Sequence, residues 1–206
     1  MNDAIIIQQV YQEGSYLDLA LVTIPNCLAY AKKHSFDYEF SYGDIVPEWD
    51  MLCGGWAKLA LISGALQRGY KYVVWLDVDA LIVDMDADLR EACPEGIGMV
   101  IHHSPNPHYN IGCMYMTNSQ EVKEFVNYWM SWYPGPTFKG SWHEQAILNL
   151  LSQTPAGQIV KEIDCKWNST KAGHCHTNRA VVEGFHGEGS PEQRLAKMQE
   201  YLCQLK

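Results

Sequence analysis

Tyr72-Val73-Val74-Trp75-Leu76-Asp77-Val78-Asp79-Ala80-Leu81-Ile82 is the stretch on which the fold turns. Its opening residues are apolar or aromatic, with β-branched Val73 and Val74, and read as a strand buried on both faces. Two carboxylates follow with one valine between them. Side chains alternate along an extended strand, so the spacing predicts Asp77 and Asp79 on one side and Val78 on the other. Like charges that close repel each other, and near a core they are costly to desolvate. A divalent cation relieves both costs. The other reading is a strand that ends in a solvated acidic turn.

Working outward, Gly54-Gly55 precedes a helix with Trp56, Leu59, Ile62 and Leu66 on one face, stopped by Gly69 and leading straight into the Asp77 strand. Ile5-Ile6-Ile7 opens an earlier strand that ends near Val10. A helix follows with Leu17, Leu21, Ile24, Leu28 and Ala31 on its apolar face; Pro25 predicts either a start near Thr23 or a kink. Tyr38-Glu39-Phe40, Gly98 to Ile101 and Cys113 to Met116 are further strand candidates. Asn118 with Glu121 resembles a capping box for a helix carrying Val122, Phe125, Val126 and Trp129. Ser141-Trp142-His143-Glu144 starts another helix, and Ser190-Pro191-Glu192-Gln193 caps a last one. Strands alternating with helices predict an α/β sheet with its site at the strands' carboxyl ends. We expect one domain over residues 1–206, with 188–206 as a C-terminal helix.

The chain has 206 residues, 47% apolar and 19% charged, which suits a globular core and excludes general disorder. Its formal charge of −9 carries no offsetting basic cluster, which weighs against a nucleic-acid partner or an anionic membrane surface. Seven cysteines are scattered without C-x-x-C pairs, and this predicts a reducing compartment rather than a disulfide framework. With no membrane span and no signal segment in the sequence, a cytoplasmic location is expected. Cys165, His174, Cys175 and His176 lack a zinc-ligand spacing. Asn168-Ser169-Thr170 matches a glycosylation acceptor pattern that a cytoplasmic protein would not use.

Trp56-x-Lys58, Asp77-Val78-Asp79, Asn110-x-Gly112, Glu144-Gln145 and Phe185-His186-Gly187 occur in the order seen in GT-A-fold glycosyltransferases. The pattern most resembles the family 34 galactosyl-, mannosyl- and xylosyltransferases, and more loosely family 8. The chain departs from that pattern in carrying Glu144 where Asp is commoner, and no apolar run among these residues is long enough for the membrane anchor the pattern leads one to expect. The resemblance implies a GT-A fold, a single Rossmann-like mixed sheet flanked by helices. It also implies transfer of a sugar from a UDP- or GDP-sugar to a carbohydrate or other hydroxyl acceptor, with retention. Asp77, Asp79 and His186 would then hold Mn²⁺ or Mg²⁺, the imidazole favouring Mn²⁺.

The same resemblance brings Lys58 to the donor sugar or its phosphates, although a lysine in an apolar helix can also snorkel outward. Donor contacts are expected from Asp77, Asn110 and Gly112. Glu144 and Gln145 are expected beside the anomeric carbon, while Glu144 could equally complete a cap with Ser141. Residues near Val10 to Ser15 would choose the base. Two other readings compete: a haloacid-dehalogenase-type phosphatase with Asp77 as nucleophile, and a non-catalytic sugar-nucleotide-binding relative on a GT-A fold.

Overall fold

The computed structural model describes residues 2–10, 14–43, 54–103, 106–133, 143–172 and 175–204. Strands β1 (Ala4–Val10), β2 (Phe36–Tyr42), β3 (Tyr72–Leu76), β5 (Ile97–His102), β6 (His108–Thr117) and β7 (Val160–Glu162) form a mixed sheet in the order β2-β1-β3-β6-β5-β7. β1 runs parallel to β2 and β3, and β5 parallel to β7, while β6 is antiparallel to both of its neighbours. Every strand but β6 therefore ends at the same edge, and β6 begins there.

Strand periodicity divides the core between the two faces. Ile5, Ile7, Val73, Trp75, Met114 and Met116 pack with Trp56, Leu59, Ile62 and Leu66 of α2 (Gly54–Gln67). Val122, Phe125 and Trp129 of α3 (Gln120–Met130) and Ile147 and Leu148 of α4 (His143–Leu151) join the same cluster. Ala4, Ile6, Val74, Leu76, Cys113 and Tyr115 face the other way, against Cys27 and Tyr30 of α1 (Ser15–His34) and against Trp167. The neighbouring residues of β1 and β3 thus bury on opposite faces, as the continuous apolar runs require. Gly69, at φ 89°, supplies the left-handed residue after α2 that lets the chain turn into β3.

Several expectations need correction. The strand stops at Leu76: Asp77, Val78 and Asp79 form a turn closed by the Ala80 N–H on the Asp77 carbonyl at 3.0 Å. Strand alternation is therefore not what places the two carboxylates together. The central mixed sheet flanked by helices is as expected, and beside it β4 (Ala80–Ile82) pairs with β8 (Val182–Gly184) in a small two-stranded sheet. Helix α1 starts well before Thr23 and continues through Pro25. Its buried residues are Leu19, Ala20, Thr23, Cys27, Tyr30 and Ala31, whereas Leu21 and Leu28 are 63% and 50% exposed.

The cap of α3 is Ser119, whose hydroxyl accepts from Val122 N–H at 3.2 Å, because Asn118 donates its amide to the Leu66 and Tyr70 carbonyls. Ser190 and Gln193 do form the reciprocal cap of α5 (Pro191–Gln204). Cys165 and Cys175 are bonded as a pair, with Cα atoms 5.7 Å apart, against the expectation of free thiols. Among the described residues, no helix is long and apolar enough to cross a membrane. Ser141, Trp142, His174, Tyr11, Gln12 and Glu13 lie outside the described residues.

Candidate active site at the carboxyl edge of the sheet

Asp77 leaves β3 with its backbone N–H bonded to the Gly112 carbonyl of β6 at 2.7 Å, which fixes where the turn starts. Its Oδ1 accepts from Trp75 Nε1 at 2.7 Å and from Lys58 Nζ at 3.1 Å. Lys58 does not snorkel outward. It is buried, one turn into α2, with its ammonium 5.3 Å from the centre of the Trp75 ring. The Asp77 carbonyl receives Gln8 Nε2 of β1 at 3.4 Å.

Two residues on, Asp79 is buried and bound on both oxygens. His186 Nδ1 lies 2.9 Å from Oδ1 and Arg194 Nη1 donates to Oδ2 at 2.8 Å. His186 comes from 107 residues further along the chain. It is delivered by β8, which pairs with β4 directly after Asp79, and by the Phe185 N–H bond to the Asp79 carbonyl at 2.8 Å. Burial alone would raise the Asp79 pKa, but the charges and hydrogen bonds of His186 and then Arg194 outweigh it and hold the carboxyl at about 2. The same coupling acts on His186: burial disfavours its cation, and Asp79 followed by Asp77 more than compensates, so its pKa is raised.

The other imidazole nitrogen, Nε2, meets Asn168 Oδ1 at 2.9 Å, and Asn168 Nδ2 donates to Asn110 Oδ1 at 2.9 Å. Asn110 Oδ1 also accepts the Gly112 N–H at 2.8 Å. A Cβ on Gly112 would stand 2.5 Å from His186 Cε1, and one on Gly184 would run into His186 and Asn168, so both glycines leave room for the ring. Asn168 itself is fully buried and committed to this chain of amides, not displayed as a surface acceptor.

Lys58, Asp77, Asp79, Asn110, Gly112 and His186 are therefore brought together. Gln145 stands at the border, its Oε1 accepting the Ile111 N–H at 3.3 Å. Glu144 sits at the start of α4, anchored through its carbonyl by Trp129 Nε1 at 3.0 Å, with its carboxylate against Gly55 of α2. That carboxylate has no hydrogen-bond partner among the described residues, so the structure does not join it to Asp77 or His186. Arg194 and His102 belong to the polar network without having been singled out in the sequence, and Asn168 was singled out there only as part of a glycosylation acceptor pattern. An arginine on an amphipathic helix reads as a solvated charge until its partner is known.

One oxygen or nitrogen from each of Asp77, Asp79 and His186 lies within 4.8 Å of the others. Two carboxylates and one imidazole are a donor set suited to a divalent transition ion, and they fit the group that a GT-A site implies.

Residues 3–95 match the galactosyl transferase GMA12/MNN10 family. That stretch carries Lys58, Asp77 and Asp79 and ends before Asn110, Glu144 and His186. A glycosyltransferase involved in the glycosylation of the major capsid of PBCV-1 superposes with a TM-score of 0.76 at 14% identity, over 96% of this chain and 98% of that one. This is a GT-A glycosyltransferase fold. Galactosyltransferase LgtC, solved with donor and acceptor sugar analogs, gives a TM-score of 0.54 at 14% identity over 96% of this chain and 95% of its own. GlyE of Streptococcus pneumoniae TIGR4 gives 0.58 at 10% identity, over 98% of this chain and 63% of its own. No curated protein sequence matches. The family match and the GT-A neighbours together support a glycosyltransferase, and they do not favour the phosphatase reading.

Proposed function

We propose that this GT-A protein moves a sugar, with retention, from a UDP- or GDP-sugar to a carbohydrate or other hydroxyl acceptor, using a divalent ion held by Asp77, Asp79 and His186. The observation that carries this reading is the convergence of those three side chains within 4.8 Å at the carboxyl edge of a GT-A sheet. When bound there, Mn²⁺ or Mg²⁺ would supply Lewis acidity toward the diphosphate that leaves.

The protein's own residues divide the remaining work. Lys58 holds Asp77 in place and sets a buried positive charge beside the diphosphate position, where negative charge develops as the bond to the sugar breaks. Gly112 leaves room for the His186 ring beside β6, and the Asn110 amide, locked by Gly112 and Asn168, presents a fixed polar edge to the donor. In this reading Glu144, at the start of α4 and without a carboxylate partner among the described residues, stabilises positive charge at the anomeric carbon, with Gln145 orienting the sugar from the same helix start. Arg194 neutralises Asp79 from the side of α5.

The test is a thermal-shift panel of UDP and GDP with Mn²⁺, Mg²⁺ or EDTA. A nucleotide bound to the folded state at 100 times its Kd stabilises by about 2.7 kcal/mol, a shift of several degrees. Stabilisation by one nucleotide that needs the metal and disappears in Asp79→Ala supports the proposal. The same shift in EDTA as in Mn²⁺ sinks the metal-held diphosphate.

A further inference from the structure

The amide chain that begins at His186 runs through Asn168 and Asn110 and ends on His102, the last residue of β5, at the same edge of the sheet. His102 is 5% exposed. Its ring centre is 6.4 Å from that of His186 and 5.7 Å from that of His108. The hydrogen-bond pattern fixes its tautomer. Asn110 Oδ1 accepts from Gly112 N–H and Asn168 Nδ2, so the amide group facing His102 Nδ1 at 3.4 Å is Nδ2, which can only donate. Nδ1 is then the acceptor, and the ring proton sits on Nε2. Among the described residues, Nε2 has no hydrogen-bond partner.

A buried N–H donor without an acceptor is an unfavourable element in a folded protein unless something else supplies the oxygen. With Nδ1 accepting from the Asn110 amide and one proton on Nε2, the ring is neutral. A neutral single donor matches a neutral oxygen better than a phosphate, which the cationic side of the site already serves.

We propose that His102 is a sugar-positioning residue, its Nε2–H donating a hydrogen bond to a hydroxyl oxygen of the sugar that is transferred or of the sugar that receives it. This rests on the glycosyl-transfer reading above, and it adds a selector of sugar stereochemistry that the motifs do not contain.

The experiment compares the parent with His102→Phe, which keeps the ring and deletes the donor. His102→Asn keeps an amide near Asn110 and also deletes the donor, and it serves where the Phe variant does not fold. His102→Gln restores an N–H at about the reach of Nε2. Binding of UDP, GDP, UDP-galactose and GDP-mannose is measured by calorimetry in Mn²⁺, and donor hydrolysis and transfer to free hexoses are measured with the donor that binds.

The expected result is unchanged affinity for the bare nucleoside diphosphate and a loss of about 10-fold, one hydrogen bond's worth, that Gln recovers. A loss in sugar-nucleotide affinity places the hydroxyl on the donor. A higher KM for the hexose, with donor hydrolysis intact, places it on the acceptor. Equal behaviour of all variants overturns the inference, as does a parallel loss of bare nucleotide affinity or a Gln variant no better than Phe. If the parent binds neither UDP nor GDP in Mn²⁺, the glycosyl-transfer reading itself falls and takes this inference with it.

Discussion

Asp77 and Asp79 are neutralised by different cations: Lys58 holds the first, His186 and Arg194 the second. Removing either carboxylate therefore disturbs a different part of the site. Glu144 has no such partner among the described residues, and in the proposed reading its carboxylate at the helix start meets a developing positive charge. Glu144→Gln should lower turnover by about 10²-fold or more with little change in stability. Gln145→Ala should impair transfer and spare nucleotide binding, because in the proposed reading the metal and not α4 holds the diphosphate. Both are read by donor hydrolysis and transfer with UDP- and GDP-sugars in Mn²⁺, and full activity in both variants would remove α4 from the active site. The acidic pair, Lys58 and His186 were legible in the sequence because each lies in a short motif at a spacing shared with GT-A enzymes. The network roles of Asn168 and Arg194 were not, since each depends on a partner tens of residues away, and that of His102 was not, since only the fold buries its Nε2 without an acceptor.

At the level of elements, helix α5 is more than an amphipathic terminus. Met198 buries beside Leu19 and Ala20 of α1, together with Val10, Val78, Leu81 and Phe185, and this holds Arg194 over Asp79. Taking away Arg194 leaves the buried Asp79 carboxylate with His186 as its one partner among the described residues, at a cost below the ~3–5 kcal/mol of breaking a buried pair outright. Arg194→Ala should therefore lower the Tm in EDTA, and Mn²⁺ should restore more of the loss than it adds to the parent, because the ion then neutralises Asp79. Equal Mn²⁺ shifts in the two proteins would show that Asp79 does not hold the ion. The buried face of α1 was misread for a related reason. Thr23, Cys27 and Tyr30 carry that face, while Leu21 and Leu28 point to solvent, so hydrophobicity alone assigned the helix the wrong stripe. The strands were easier, because β1 and β3 are apolar on both faces and no rotation can hide them.

Across the molecule, the large sheet and the small one differ in how much holds them. β1, β3 and β6 lie inside the six-stranded sheet with cores on both faces, whereas β4 and β8 are three-residue strands paired with each other, with one further bridge from β8 to Ser169. Amide hydrogen exchange should show the central strands opening only with global unfolding, and residues 80–82 and 182–184 opening at lower free energy. Mn²⁺ with the nucleoside diphosphate that binds should slow exchange in those two segments selectively, and uniform slowing would deny that they form the clasp of the site. The separate small sheet was illegible in the sequence because Ala80-Leu81-Ile82 continues the apolar run of β3, and only the turn at Asp77 to Ala80 parts them. The pairing of β4 with β8 also sets an order in time. On the ribosome, Asp79 is made 107 residues before His186, and until that later segment emerges the acidic turn has neither its imidazole nor its guanidinium. A nascent chain can thus complete β1, β2, β3, β5 and β6 before the residues that close around Asp79 have been made.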